Sequence, residues 1–146
     1  MQFIDLKRQY AVLKEGIDRG IAAVLSHGRF ILGPEVMELE EKLAALAGVR
    51  YAVSCSSGTD ALLMPLMAWE IGPGDAVFVP AFTFFASAEV IALAGATPVF
   101  TDILPDTFNM DPASLESAIQ KTLAEGRLTP RAVMPVDLFG LPAEYD

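Results

Sequence analysis

An α/β fold with a mainly parallel sheet and helices on both of its faces is the class this sequence predicts. Three observations carry that reading. Short apolar runs such as AVFVP at 76–80 have the near-continuous hydrophobicity of strands buried on both sides. Each run gives way within a few residues to a segment whose apolar positions recur at helical spacing. Glycine and proline punctuate the junctions, as in GPGD at 72–75 and Gly95. Strands that alternate with helices in this way pair in parallel, because a parallel pair needs a crossover connection.

The elements follow in order. Tyr10, Leu13, Ile17, Ile21 and Val24 share one helical face, and Gly28 is placed to stop that helix. The loop RFILGPE leads to a second helix that opens at Gly33-Pro34, with Glu35 favourable to its dipole. Val36, Leu39, Leu43 and Leu46 are its expected buried stripe, and Gly48 its end. YAVSC at 51–55 reads as a strand, and Thr59 to Trp69 as a helix that Pro65 should kink. AVFVP at 76–80 is the next strand, Thr83 to Leu93 the next helix, and TPVFTDI at 97–103 another strand. Asp111-Pro112 is a strong helix start, Leu115, Ile119 and Leu123 line that helix, and Gly126 closes it. RAVMPVDLFG at 131–140 completes the strands. The organisation expected is an N-terminal helical part at 1–48 followed by βα units at 49–146.

Bulk properties narrow the function. The 146 residues suffice for a real core, and 53% are hydrophobic against 20% charged. A net charge of -9 and the absence of any Lys/Arg stripe exclude a nucleic-acid surface. Cys55 is the single cysteine, so no internal disulfide can form, which suits a reducing cytoplasm. No apolar run has the length of a signal core or a membrane span, so no membrane partner is expected. No metal site is expected either.

Two junctions carry the chemistry. In SCSSGTDALL the apolar run stops at Ser56, Ser57, Gly58 and Thr59, and a helical pattern begins at once. Small residues at a helix N-terminus let backbone amides approach an anion, and the hydroxyls add donors. A phosphate cup is one reading; a tight turn with a serine or threonine cap is the other. The spacing is neither that of a nucleotide P-loop nor that of a dinucleotide fingerprint. The second junction, VPAFTFFASAE, sets Phe82, Phe84 and Phe85 at the carboxyl end of a strand. An aromatic there can stack on a flat ring, or it can belong to the core. Cup and shelf on successive loops suggest a flat, phosphorylated cofactor.

FIDLKRQY, GRFILGPEVMELEEKLA, SSGTDAL, GPGDAVFVPAFTFFASAE, GATPVFTDI, FNMD and PVDLFG, in that order, closely resemble the DegT/DnrJ/EryC1/StrS family of sugar aminotransferases. The resemblance runs through the whole chain. It implies the large domain of a fold-type-I transferase that uses pyridoxal 5'-phosphate. It implies that Gly58 and Thr59, with Ser57, hold the cofactor phosphate and that Phe84 stacks on the pyridine ring. It places Phe30, in the GRFILGPE loop, and Glu89 on the substrate side. It implies a homodimer, a nucleotide-linked keto-sugar substrate and an amino-acid donor, commonly glutamate.

The same resemblance puts the family's Schiff-base lysine, and the aspartate that pairs with the pyridine nitrogen, beyond position 146. Lys7, Lys14, Lys42 and Lys121 lack that lysine's context. The expectation is an N-terminal fragment that binds and orients cofactor, does not transaminate alone and tends to self-associate. Two alternatives stay open: a dehydratase of the same family, in which histidine replaces the lysine, or a non-catalytic phosphate-ligand or dimerisation module. Asp137 is expected either to face the site or to cap a turn. Glu89 also reads as a solvated helix residue, His27 as a helix-terminal dipole partner, and Cys55 as a buried small hydrophobe.

Overall fold

The computed structural model describes residues 3–143 and residue 145. It divides into two units, Met1–Ser54 and Cys55–Asp146.

The first unit is helical. Helix α1 spans Leu6–His27; the Asp5 carboxylate caps it by accepting from the Arg8 N–H at 3.0 Å, and Gly28 ends it at φ 67°. Helix α2 spans Pro34–Ala47, with proline in its first turn as its sequence predicts and Gly48 at φ 67° after it. His27, the last residue of α1, meets the start of α2. Its Nδ1 accepts from the Arg29 N–H at 3.0 Å, so Nε2 carries the proton and donates to Glu35 Oε1 at 2.9 Å. That hydrogen bond holds the Glu35 carboxyl below its ordinary range.

Two expectations fail in this unit. The stripe Leu39, Leu43, Leu46 is exposed, while Val36 and Glu40 are half-buried and Ala44 is buried. The covered face is the i, i+4, i+8 row beside it. YAVSC forms no strand. The Ser54 N–H and hydroxyl both donate to Glu40 Oε1, at 2.8 and 2.7 Å, so a side chain of α2 satisfies the backbone that a sheet neighbour would have satisfied.

The second unit contains the sheet. Helix α3 is Gly58–Ala68 and runs through Pro65. Strand β1 is Asp75–Pro80, α4 is Ala86–Leu93, β2 is Thr97–Thr101, α5 is Pro112–Glu125 and β3 is Thr129–Val133. The strands lie in the order β2-β1-β3, all parallel, with Val77 opposite Pro98 on one side and Ala132 on the other. Every residue from Ala76 to Pro80 is buried. Val77 and Val79 pack with Leu66, Ile71, Val90 and Ile91, which puts α3 and α4 on one face. The alternate residues, Ala76 and Phe78, point to the other. The connections support the same layering. The chain steps from β1 outward to β2, then back across β1 to β3, and right-handed crossovers in opposite directions place α4 and α5 on opposite faces.

The last expected strand is shorter than its apolar run. After Val133 the chain leaves the sheet, and Leu138–Gly140 is a 3-10 turn with Phe139 at φ 56° and Gly140 at φ 83°. Backbone in the left-handed region cannot continue a ladder. Similarly, TPVFTDI pairs with β1 only to Thr101, after which Ile103 bridges Met110 in antiparallel fashion.

Candidate functional site

The reversal of direction at β1 makes a topological switch point, and open α/β sheets bind ligands outside the carboxyl ends of strands at such points. A cavity of about 640 Å³ opens there. Its walls come from the start of α3 (Gly58, Thr59, Leu62), the loop after β1 (Thr83, Phe84, Ala86, Ser87) and the segment after β3 (Met134 to Phe139), with Tyr145.

The start of α3 is built by its cap. Ser57 is extended, and its hydroxyl oxygen accepts from the Asp60 N–H at 3.1 Å. The Asp60 carboxylate in turn accepts from the Ser56 and Ser57 hydroxyls, which hold its pKa below 3.8, Ser56 more than Ser57. The Ser57 hydroxyl is therefore engaged along the helix entry, and Ser57 is not among the residues lining the cavity. Gly58 and Thr59 are the first two helical residues, whose N–H groups have no partner in the helix. Gly58 has no positive φ, and a Cβ built there would meet nothing within 4 Å. Neither backbone strain nor packing among the described residues requires glycine at that position.

The loop after β1 carries the aromatics. Phe84 is 75% exposed and lines the cavity. Phe82 packs against Phe108 and Phe139, with ring centroids 5.6 and 6.4 Å away. Phe85 is exposed and is not a lining residue. Thr83 and Ser87 share a hydroxyl–hydroxyl hydrogen bond of 3.0 Å at the start of α4. The donors at Gly58 and Thr59, the hydroxyls and the flat Phe84 face suit a planar, phosphorylated group such as pyridoxal 5'-phosphate.

Gly58, Thr59 and Phe84 thus come together. Glu89 lies exposed on α4 and outside the cavity wall, and Phe30 lies exposed in the first unit. Asp137 both lines the cavity and ties its own loop: Oδ1 accepts from the Ala143 N–H and the Tyr145 hydroxyl, each at 2.9 Å. These two donors, Ala143 first, hold its carboxyl below the usual range. Cys55 is exposed rather than buried, its thiol donating to the Ser57 carbonyl at 3.2 Å. Thr83, Ser87, Met134, Phe139 and Tyr145 were not foreseen. The i, i+4 hydroxyl pair at a helix start was a usable signal for the first two; nothing in the sequence marks Tyr145.

Among the described residues no group of three or more His, Cys, Asp or Glu is disposed to hold a metal ion. Among the described residues no helix is long and apolar enough to cross a membrane.

Comparison with known proteins bears on this site. The family described as the DegT/DnrJ/EryC1/StrS aminotransferase family matches residues 12–146. The chain is 51% identical to the UDP-2-acetamido-2-deoxy-3-oxo-D-glucuronate aminotransferase of Pseudomonas aeruginosa, over 100% of this chain and 39% of that protein. It superposes on a DegT DnrJ EryC1 StrS aminotransferase from Brucella abortus with a TM-score of 0.97 and 56% identity, over 99% of this chain and 39% of the other. NtdA from Bacillus subtilis, solved with bound cofactor PMP, gives a TM-score of 0.78 and 35% identity, over 86% and 27%. The chain therefore spans about two-fifths of the length of the curated relative, whose matched share is 39%.

Proposed function

The chain belongs to the DegT/DnrJ/EryC1/StrS aminotransferase family, and from that premise we propose that it forms the phosphate-holding and ring-stacking part of an aminotransferase dependent on pyridoxal 5'-phosphate. In this reading the complete enzyme is a cytoplasmic homodimer. It moves an amino group from an amino acid, commonly glutamate, to a nucleotide-linked keto-sugar. The observation that carries the reading is the meeting of the Gly58–Thr59 helix entry and the exposed Phe84 face in one cavity.

When bound, the cofactor supplies the electron sink that lets an amino nitrogen be taken up and delivered. The residues of this chain hold and orient it. Gly58 and Thr59 direct two free amides, the positive end of α3 and one hydroxyl at the phosphate. Phe84 presents a flat face to the ring. Leu62, Met134, Pro135 and Val136 give the ring an apolar wall to lie against. Lys7, Lys14, Lys42 and Lys121 do not line the cavity, so none of them is assigned a proton transfer.

The test is cofactor titration by absorbance and calorimetry. Thr59→Ala should weaken binding by about 1–3 kcal/mol through loss of a charged hydrogen bond. Phe84→Leu keeps bulk, and should raise the dissociation constant and shift the cofactor's absorbance. Affinity that is unchanged in both variants would overturn the reading.

A further inference from the structure

The cavity has a charge that the reading above does not use. Asp137 is the one acidic residue among the described residues lining it, and no Lys, Arg or His lines it among them. The walls are otherwise mainly apolar, formed by Leu62, Phe84, Met134, Pro135 and Val136. The Asp137 side chain is exposed, so its carboxylate is solvated and open to a guest entering the cavity.

Its geometry is nevertheless fixed. Oδ1 accepts from Ala143 and from Tyr145, at 2.9 Å each, and the Asp137 carbonyl accepts from the Gly140 N–H at 3.2 Å. Two donors on a single oxygen orient the carboxylate and favour its ionised form. Oδ2 has no hydrogen bond among the described residues. A side chain held this way is preorganised for a donor that the protein does not itself supply.

We propose that Asp137 is a specificity-determining residue that pairs with a primary ammonium on the ligand, so that the cavity takes a dipolar guest with phosphate in the cup and amine toward Asp137. This rests on the reading of the cup given above. Within that reading two sources supply an ammonium: the amine form of the phosphorylated ring, and a separate amino-acid donor.

The experiment uses the chain itself and three probes: pyridoxamine 5'-phosphate, 4-deoxypyridoxine 5'-phosphate, which has a methyl in place of the aminomethyl group, and L-glutamate. Dissociation constants are measured by calorimetry. The wild-type chain should bind the ammonium-bearing ring about tenfold more tightly than the deoxy ring, the scale of one charge-assisted hydrogen bond. Asp137→Asn should reduce that ratio to less than twofold. The asparagine keeps an oxygen acceptor for Ala143 and Tyr145, so a purely structural role would not move the ratio, and the wild-type ratio stands as a test should the variant not fold. If the two rings bind wild type equally but L-glutamate tightens the deoxy ring in wild type and not in Asp137→Asn, the ammonium comes from the donor, and the pairing still holds. Equal binding of both rings with no effect of glutamate overturns this proposal and leaves the cup intact. No binding of either ring overturns the cup and the proposal with it.

Discussion

Strand β1 and helix α1 both look like core elements in the sequence, and the structure treats them oppositely. From Ala76 to Pro80 every residue of β1 is buried. Over its 22 residues α1 buries none, and Tyr10, Leu13, Ile17 and Ile21 lie exposed along their shared apolar face. The difference is in the neighbours. β1 sits between two parallel strands and has helices on both faces, so each of its side chains has somewhere to go. An apolar stripe states only that an element profits from a partner; whether the partner is present is a tertiary fact.

The largest test of that contrast lies in β1. Phe78 is 1% exposed and is the largest of the fully buried side chains. Phe78→Ala should cost about 3–5 kcal/mol in urea unfolding of the second unit, the usual range for a buried phenylalanine left as a cavity. A loss below about 1 kcal/mol would mean that the β1 core does not dominate stability. Native-state hydrogen exchange extends the comparison. Amides of β1 should be protected to the global unfolding free energy, and those of α1 should open locally at far lower cost.

A smaller effect is expected where the site meets the fold. Ser57→Ala removes the side-chain acceptor at the entry to α3, which should cost about 1 kcal/mol. It also removes one hydroxyl from the Asp60 carboxylate. The pH dependence has a defined sign. Asp60 is held below its ordinary value of 3.8, so its contribution is fully present above that value. It is lost as pH falls through the lower, folded value. Asp60→Asn should therefore flatten stability against pH only below about 4. A difference in slope that persists near neutral pH would contradict the assignment.

These residues also show which parts were legible. Asp111-Pro112, Gly28, Gly48 and Gly126 announced helix ends because capping chemistry is local, and each glycine takes the left-handed conformation expected of it. The placement of Gly58, Thr59 and Phe84 around one cavity could be read because a helix entry and a post-strand loop fix where they lie. YAVSC was misread because its backbone is satisfied by Glu40, a side chain 14 residues from Ser54. The end of PVDLFG was misread because Phe139 takes a φ of 56°, which no local preference of phenylalanine suggests. The stripe at Leu39, Leu43 and Leu46 follows helical spacing correctly, but spacing does not report what covers it.

The smallest effect on folding should come from α1, and there the contrast with β1 is sharpest. Ile21 is 56% exposed, and a polar residue at such a position ordinarily changes stability by less than about 0.5 kcal/mol. Ile21→Ser should therefore leave the unfolding free energy nearly unchanged in dilute solution, where Phe78→Ala is severe. The same face is a contiguous apolar row that includes Leu13 and Ile17, and such rows favour association. Light scattering across a dilution series should show the mass of the wild-type chain rising with concentration if this face mediates association, and Ile21→Ser should shift that rise to higher concentration. A large destabilisation in dilute solution would mean that the chain covers this face within one molecule. A mass that stays monomeric at every concentration would remove self-association as the partner α1 lacks.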